Sequence, residues 1–335
     1  MEFRMSENGP EGSKDQNGSE GPNMRVIPVV DLTDPDAKSQ IVEASQKIGF
    51  FKVINHGISM EFMNELEDEA VKFFQLPLEE KEKSAGAANP FGYSNKRIGC
   101  NSDMGWVEYL LFSTNPEIIS HDAGAALPTT ISESLRQLMI EYVSSVRKLG
   151  CEILEMMAEG LQIKPNTTLS KLIKDQRSDS CFRINYYPPF PQHKAALGCS
   201  NLIGFGEHTD PQLISIARSN HVAGLQICLN NVTWVPVPPD PTAFCINIGD
   251  ALQVMTNDRL RSVKHRVLAS RPGSRVSMIF FGGPPLSQII TPLTSLMQKY
   301  EESLYKEFSW REYKTSIYKT RLSDNRLFFF QKSAI

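Results

Sequence analysis

Two histidines and one aspartate have the types and spacing of a metal site. His208 and Asp210 stand two residues apart in the segment GFGEHTDPQ, and His265 lies further along the chain. On an extended strand, side chains at i and i+2 point to one face, so an imidazole and a carboxylate can converge on one ion. Two histidines and one carboxylate form the facial triad of non-haem Fe(II) sites, although zinc accepts the same ligands.

An arginine and a serine with the same two-residue spacing follow the second histidine. Arg275 and Ser277 share one face if they lie on a strand. A guanidinium binds a carboxylate through two parallel hydrogen bonds, and a nearby hydroxyl adds another donor. The pair therefore suits the distal carboxylate of a dicarboxylate co-substrate. A surface arginine and serine on an edge strand are the alternative, but the order His-x-Asp, His, Arg-x-Ser favours a catalytic site.

The segments that carry these residues have the two-residue hydrophobic period of strands. From Cys181 onward, Phe182, Ile184 and Tyr186 alternate with a polar face made of Arg183, Asn185 and Tyr187. Further strands are predicted at 213–217, 225–229, 232–237, 244–248, 262–268 and 276–281, with a hairpin turn at Asn230-Asn231. Many short strands with Gly, Pro and Asn turns are typical of a β-sandwich or jelly roll.

Helical periodicity dominates the remaining parts of the chain. The strongest pattern runs from Leu135 to Met156 and predicts one long scaffold helix. Other helices are expected at 41–48, 62–74, 169–173, 300–304 and 310–318, and residues 85–105 resemble a loop. The predicted class is α+β, a double-stranded β-helix (jelly-roll) core wrapped by helices. The parts are a disordered tail (1–23), a helix-rich region (24–175), the core (176–290) and a C-terminal helical segment (291–335).

Composition excludes several classes of function. Charged residues make up 22% of the chain and the formal net charge is -3, so a nucleic-acid partner is not expected. No apolar run suits a membrane span or a secretory signal. The six cysteines form no CxxC pair and are best interpreted as reduced thiols. We expect a protein of the cytoplasm or nucleus, and its oligomeric state cannot be derived from the sequence.

Several longer stretches resemble one plant enzyme family. They include GFFKVINHGI at 49–58, NPFGYSNKRIG at 89–99, GWVEYL at 105–110, NYYP at 185–188, FGGPPLS at 281–287 and LYKEFSW at 304–310. From about residue 26 to its end, the chain resembles the plant 2-oxoglutarate- and Fe(II)-dependent dioxygenases, and within them the gibberellin 2-oxidases. Ser94 and Ser102 replace a usual Gly and Tyr186 often corresponds to His, which bears on substrate preference.

The resemblance implies cofactors and residue roles. It implies that the triad of His208, Asp210 and His265 holds Fe(II), with O₂ as oxidant and ascorbate as a supporting reductant. It implies that 2-oxoglutarate binds Arg275 and Ser277. The same resemblance places Tyr187 and Asn185 beside this co-substrate.

The implied substrate is a gibberellin, an apolar diterpenoid with one carboxylate that is hydroxylated at carbon 2 and so inactivated. Such a ligand needs an apolar cavity with a cationic or hydroxyl anchor. The candidate contacts are Tyr93, Lys96, Arg97, Trp106, Tyr109 and Tyr313. A solvated loop face is the alternative for the two cations, and core packing is the alternative for Trp106 and the C-terminal aromatics.

Three other functions compete with this interpretation. A related plant oxygenase would act on a flavonoid or another hormone. A non-catalytic β-sandwich that binds a small molecule would show no metal dependence. A zinc hydrolase would use the same three ligands but leave Arg275 without a role.

Overall fold

The structure is a computed structural model that describes residues 27–85, 91–98, 103–114, 130–189, 203–269 and 273–332, with the backbone alone for 96–98 and 103. The predicted tail at 1–23 lies outside these residues. No helix in the described ranges is long and apolar enough to cross a membrane.

The strands form two main sheets that face each other. They are β1 (Val29–Asp31), β2 (Phe50–Ile54), β3 (Gly92–Ile98), β4 (Asp103–Ser113), β5 (Cys181–Tyr187), β6 (Ile203–His208), β7 (Ile214–Ser219), β8 (Leu225–Leu229), β9 (Thr233–Pro236), β10 (Phe244–Ile248), β11 (His265–Leu268), β12 (Arg275–Gly282), β13 (Ile289–Ile290) and β14 (Phe308–Ser309). The large sheet has the order β1-β2-β10-β7-β12-β5-β4-β3 and the small one β6-β11-β8-β9, while β13 pairs with β14. The α+β jelly-roll class is confirmed.

Helices cover the large sheet. They are α1 (Ala37–Lys47), α2 (Met60–Phe74), α3 (Leu78–Glu82), α4 (Glu133–Gly160), α5 (Ser170–Lys174), α6 (Asp250–Met255) and α7 (Trp310–Ile317), with 3-10 turns at Asn166–Thr168, Thr294–Leu296 and Arg326–Phe330. The long scaffold helix is confirmed as α4. The Ser132 side chain caps it by accepting a hydrogen bond from the Leu135 amide. Its Gly150 lies so close to Ile216 of β7 that a methyl group there would approach the Ile216 Cδ1 atom at 2.9 Å.

Two predictions about the connections are wrong. Residues 85–105 include β3 and the start of β4. The pattern looked like a loop because β3 is an edge strand, and edge strands tolerate polar residues such as Ser94 and Asn95. Residues 300–304 are not helical. Asn257 holds this segment instead, since its side chain accepts from the Leu304 amide at 2.9 Å and donates to the Glu302 carbonyl at 3.2 Å.

The other predicted elements occur with shifted ends. The hairpin between β8 and β9 turns at Asn230 and Asn231, whose φ angles of 52° and 57° suit asparagine at a tight turn. The strand predicted from 262 begins at His265. The division of the chain at 175 and 290 stays a prediction, and β1 to β4 of the N-terminal part complete the large sheet.

Tyr142 on α4 allows a test of this packing. The side chain is fully buried, 5.4 Å from Phe182 between ring centroids, and its hydroxyl has no hydrogen-bond partner among the described residues. Tyr142→Phe should raise the free energy of unfolding by about 1 kcal/mol, because an unpaired buried hydroxyl is costly. Tyr142→Ala should lower it by about 3–5 kcal/mol through the cavity it leaves. Urea unfolding measures both, and equal losses in the two variants would contradict this packing.

Candidate metal centre and co-substrate site

A cavity lies between the two sheets and receives the odd-numbered side chains of four strands of the large sheet. Its described lining consists of Arg183, Asn185, Tyr187, Phe205, His208, Asp210, Ala217, Leu225, Cys245, Asn247, His265, Val267, Arg275, Ser277, Ile279 and Phe281. The metal candidates and the arginine–serine pair, which are far apart in sequence, therefore share one space.

The three candidate metal ligands converge at one wall of this cavity. The possible ligand atoms of His208, Asp210 and His265 all lie within 4.8 Å of one another. The Asp210 Oδ1 atom is 3.5 Å from Nε2 of His208 and 3.6 Å from Nε2 of His265. The two histidines are direct partners across the β6–β11 pair, and their ring centroids are 4.2 Å apart. Such a cluster suits a single ion.

Backbone carbonyls orient both imidazoles. The His208 Nδ1 atom lies 2.8 Å from the Gly206 carbonyl, and the His265 Nδ1 atom lies 3.3 Å from the Val263 carbonyl. A carbonyl oxygen only accepts hydrogen bonds, so each Nδ1 carries a proton, and each Nε2 faces the Asp210 carboxylate. This pattern is the usual support of a metal-binding histidine.

The protonation states also suit a metal ion. Burial, together with the neighbouring His265, lowers the pKa of His208 to about 4, so its ring is neutral near pH 7. Burial alone would raise the pKa of Asp210, but His265 and His208 hold that pKa below its ordinary value. A neutral imidazole and an ionised carboxylate are the forms that bind metals.

The loop after β6 presents Asp210. The strand ends at His208, so Asp210 does not lie on it, and the prediction of a strand through both residues is wrong. The loop is held from the other side of the core: Thr209 donates to the Asp250 carboxylate at 3.0 Å, and the Asp250 amide donates to the Asp210 carbonyl at 2.8 Å. The Gly249 position has no room for a side chain, since a Cβ would lie 1.9 Å from the Gln212 carbonyl oxygen.

Asn247 supports the aspartate directly, and the sequence analysis did not single it out. Its Nδ2 donates to Oδ2 of Asp210 at 3.0 Å, while Oδ1 of Asp210 faces the two histidines. This bond fixes which carboxylate oxygen is free. The signal in the sequence was the alternation of β10, which places Asn247 on the cavity face, but an amide in a strand is too common to indicate this role.

Arg275 and Ser277 lie on the cavity face of β12, directly opposite Tyr187 and Asn185 of β5. Arg275 is buried, and its Nε and Nη1 atoms have no hydrogen-bond partner in the described part of the chain. Its guanidinium carbon lies 5.4 Å from the Tyr187 ring centroid, and Asn185 donates to Ser277 at 3.4 Å. A buried guanidinium without a partner is costly unless a ligand supplies an anion.

The candidate substrate residues differ in their contacts with the cavity wall. Tyr109 is buried with its ring beneath Arg183 of the cavity wall, at 3.8 Å from the guanidinium carbon to the ring centroid. The indole of Trp106 donates to the Pro188 carbonyl at 3.0 Å. Lys96 and Arg97 lie on β3, and their side chains fall outside the described part.

Two other candidates bind carboxylates of the protein. The Tyr93 hydroxyl donates to Glu108 at 2.7 Å, and the Tyr313 hydroxyl donates to Asp250 at 2.6 Å. Neither tyrosine is part of the described cavity lining. Tyr186 points to the opposite face of β5 from the cavity and stacks on Phe74 of α2, with ring centroids 5.1 Å apart. The departure from the family pattern at this position therefore affects helix packing.

Comparisons with known proteins agree with this geometry. Residues 178–284 match the model of the 2OG-Fe(II) oxygenase superfamily, and residues 27–128 match the N-terminal region of non-haem dioxygenases in morphine synthesis. The chain is 57% identical to a gibberellin 2-beta-dioxygenase of Phaseolus coccineus over 308 residues, with 92% of each chain covered. The chain belongs to the 2OG-Fe(II) oxygenase superfamily.

A second sequence relative and a solved structure support the same family assignment. A gibberellin 2-beta-dioxygenase of Arabidopsis thaliana is 53% identical over 315 residues, which is 92% of this chain and 94% of that one. The crystal structure of JOX2 in complex with 2OG, Fe and JA superposes with a TM-score of 0.76 at 28% identity, covering 88% of this chain and 85% of that chain. As a 2OG-Fe(II) oxygenase, the protein uses Fe(II) and 2-oxoglutarate, and the donor set and the unpaired arginine fit both.

Asn247 allows a test of the metal centre of this 2OG-Fe(II) oxygenase. Asn247→Ala should weaken Co(II) binding by about 10- to 100-fold, the usual effect of losing a hydrogen bond to a ligand. Equilibrium dialysis measures the dissociation constant. Asn220→Ala is the matched control, because Asn220 is also buried but donates to the Ser274 carbonyl. Unchanged Co(II) affinity in the Asn247 variant would remove this supporting role.

Proposed function

We propose that this protein is a gibberellin 2-beta-dioxygenase that hydroxylates gibberellins at carbon 2 and thereby inactivates them. The observation that carries the proposal is the pairing of two features in one cavity. A His–Asp–His cluster lies on one wall and the unpaired guanidinium of Arg275 on another. The curated relatives of 50–57% identity include gibberellin 2-beta-dioxygenases of three plants, which supports the substrate.

The metal ligands and the co-substrate residues have separate tasks. Nε2 of His208, Nε2 of His265 and Oδ1 of Asp210 would hold Fe(II). Arg275 and Ser277 would bind the distal carboxylate of 2-oxoglutarate, and Tyr187 and Asn185 would line its site. Fe(II) with 2-oxoglutarate and O₂ supplies the oxidative decarboxylation and the hydroxylation.

The protein contributes orientation and exclusion of water. The Asp210 carboxylate is fixed by Asn247 and the imidazoles by backbone carbonyls, so the ligand atoms need little rearrangement to receive the ion. Burial raises the pKa of the Cys245 thiol in the same cavity to about 11, which keeps it neutral near pH 7. Apolar walls formed by Phe205, Ile279 and Phe281 suit a diterpenoid substrate.

The positions of the side chains reduce the number of substrate contacts predicted from the sequence. We keep Tyr109 as a candidate because its ring lies against Arg183 of the cavity wall, and we also keep Lys96, Arg97 and Trp106 as candidates. The predicted contacts of Tyr93 and Tyr313 are not supported by their positions, since both hydroxyls bind carboxylates of the protein. Their role is to support the structure around the site.

The free thiols and the net charge bear on the compartment and the partners. Four of the six cysteines are free thiols in the described part of the chain, which supports the cytoplasm or nucleus as the place of action. The formal net charge of -3 gives no support to a nucleic-acid partner. A small-molecule substrate remains the partner that the cavity favours.

The metal role of the triad can be tested by succinate formation. Wild-type enzyme with Fe(II), 2-oxoglutarate and a gibberellin should form succinate, whereas His208→Ala should reduce this by at least about 1000-fold because the ion loses a ligand. A flavonoid in place of the gibberellin is the control for substrate class. Undiminished succinate in the His208 variant would refute the iron assignment.

The co-substrate role of Arg275 can be tested by steady-state kinetics. Arg275→Lys keeps the charge but loses the planar fork, so KM for 2-oxoglutarate should rise by about 10- to 100-fold, with little change in KM for the gibberellin. Arg218→Lys is a control in a buried arginine that binds Asn64 and Glu67 outside the cavity. An unaltered KM for 2-oxoglutarate in the Arg275 variant would remove this role.

A further inference from the structure

Arg183 on β5 is a second cation of the cavity that the assignments above leave without a task. Its Nε donates to the Asn185 side chain at 2.6 Å, but its Nη2 is inaccessible and has no hydrogen-bond partner in the described part of the chain. Within the same residues no carboxylate lies within ion-pair distance, 4.0 Å, of its guanidinium. The charge is present all the same, because arginine stays protonated in proteins even where burial lowers its pKa.

Two aromatic rings hold the guanidinium in place. Its carbon lies 3.8 Å from the ring centroid of Tyr109 and 4.8 Å from that of Phe205. Phe205 in turn packs against the imidazole of His208, with centroids 4.7 Å apart. Arginine stacks well on aromatic faces while its N–H groups remain free for an anion. The unpaired edge is therefore positioned in advance for a ligand beside the metal cluster.

The position of Arg183 separates it from the co-substrate pair. Along the paired strands β5 and β12, Tyr187 lies opposite Arg275, Asn185 opposite Ser277, and Arg183 opposite Ile279. Near Arg275, the side chains of Tyr187, Asn185 and Ser277 supply polar groups. At the other end Ile279, Phe281 and Phe205 supply apolar walls, and Arg183 is the single described cation there.

The charges of the lining favour a further anion. The charged side chains among the described lining residues are Arg183, Arg275 and Asp210. Two arginines and a divalent ion against one aspartate leave three positive charges in a buried space. The two carboxylates of 2-oxoglutarate neutralise two of them. One positive charge remains, and a buried charge without a partner is strongly unfavourable.

We propose that Arg183 binds the carboxylate of the substrate and so selects an acidic, otherwise apolar molecule. This inference rests on the proposed function, since it names the anchor for the gibberellin carboxylate. Because Nε of the same guanidinium holds Asn185, which donates to Ser277, the anchor also connects the substrate end of the cavity with the co-substrate end.

The test compares a nineteen-carbon gibberellin with its methyl ester, which adds one methyl group and removes the charge. Calorimetry measures direct binding to the enzyme loaded with Ni(II) and 2-oxoglutarate, in which no turnover occurs. Wild-type enzyme should bind the acid about 10- to 100-fold more tightly than the ester, as expected for a buried charge-assisted hydrogen bond. Arg183→Met should bind both with the weaker affinity, so that the preference is lost.

Two variants make the comparison specific. Arg183→Lys keeps the charge and should retain part of the preference for the acid, which also covers the case in which the methionine variant does not fold. Arg266→Met is the matched control, because Arg266 stacks on Trp234 at 4.0 Å and binds Gln226 at 2.8 Å but does not line the cavity. It should preserve the wild-type preference.

The outcomes separate this inference from the proposed function. Absence of gibberellin binding in the wild type would overturn the function itself. A preference for the acid that persists in Arg183→Met would overturn the role of Arg183 alone. Weakened binding of 2-oxoglutarate in that variant, with the acid preference intact, would assign the cation to the co-substrate and equally refute the proposal.

Discussion

The register between β5 and β12 is the constraint on which the site depends. Because Arg275 lies opposite Tyr187 and Ser277 opposite Asn185, the odd-numbered residues of both strands enter one cavity. The period of a strand is two, so a slip of either strand by one residue would turn its cavity side chains toward the helices. Such a slip would bring Tyr186 of β5 or Val276 of β12 inward. The apolar even-numbered face buried against α2 and α4 is what makes such a slip unfavourable.

The cavity contains charged side chains that other groups of the folded protein do not neutralise. Arg275 and Arg183 both keep buried nitrogen atoms without partners among the described residues. The neutral His208 and its strand partner His265 both face the Asp210 carboxylate, with less than 4 Å between each Nε2 atom and Oδ1. Ligands that bring a divalent cation and carboxylates therefore gain more in this space than they would in water. Binding and stability are coupled here, since the ligands complete an electrostatic arrangement that the fold leaves open.

The residues of the candidate site were easier to predict from the sequence than the segments that connect the strands and helices. Arg275 and Ser277 were recognisable because two-residue spacing places both side chains on one face of a strand, and β12 carries both residues. His208 and His265 were recognisable by residue type and order along the chain. The placement of Asp210 beyond the end of β6 was not predictable, because it depends on contacts of the loop with Asp250, which is distant in the sequence. Such long-range contacts have no local signature.

The three-dimensional surroundings also explain the other differences between the sequence predictions and the structure. The edge strand β3 looked like a loop because edge strands tolerate polar residues. Arg183 was visible as part of a polar face, but the lack of a hydrogen-bond partner for its Nη2 atom among the described residues becomes apparent only when the neighbouring strands are in place. The substrate contacts of single residues depend on their three-dimensional surroundings. The metal ligands can be predicted largely from residue types and their spacing in the sequence.

The most direct test of the account is the fate of oxygen. The enzyme with Fe(II), 2-oxoglutarate and a gibberellin is incubated under ¹⁸O₂, and the product is analysed by mass spectrometry and NMR. The account predicts a gibberellin that carries one labelled hydroxyl group at carbon 2, formed together with succinate. A product without the label, a hydroxyl at another carbon, or turnover that persists without Fe(II) would contradict it.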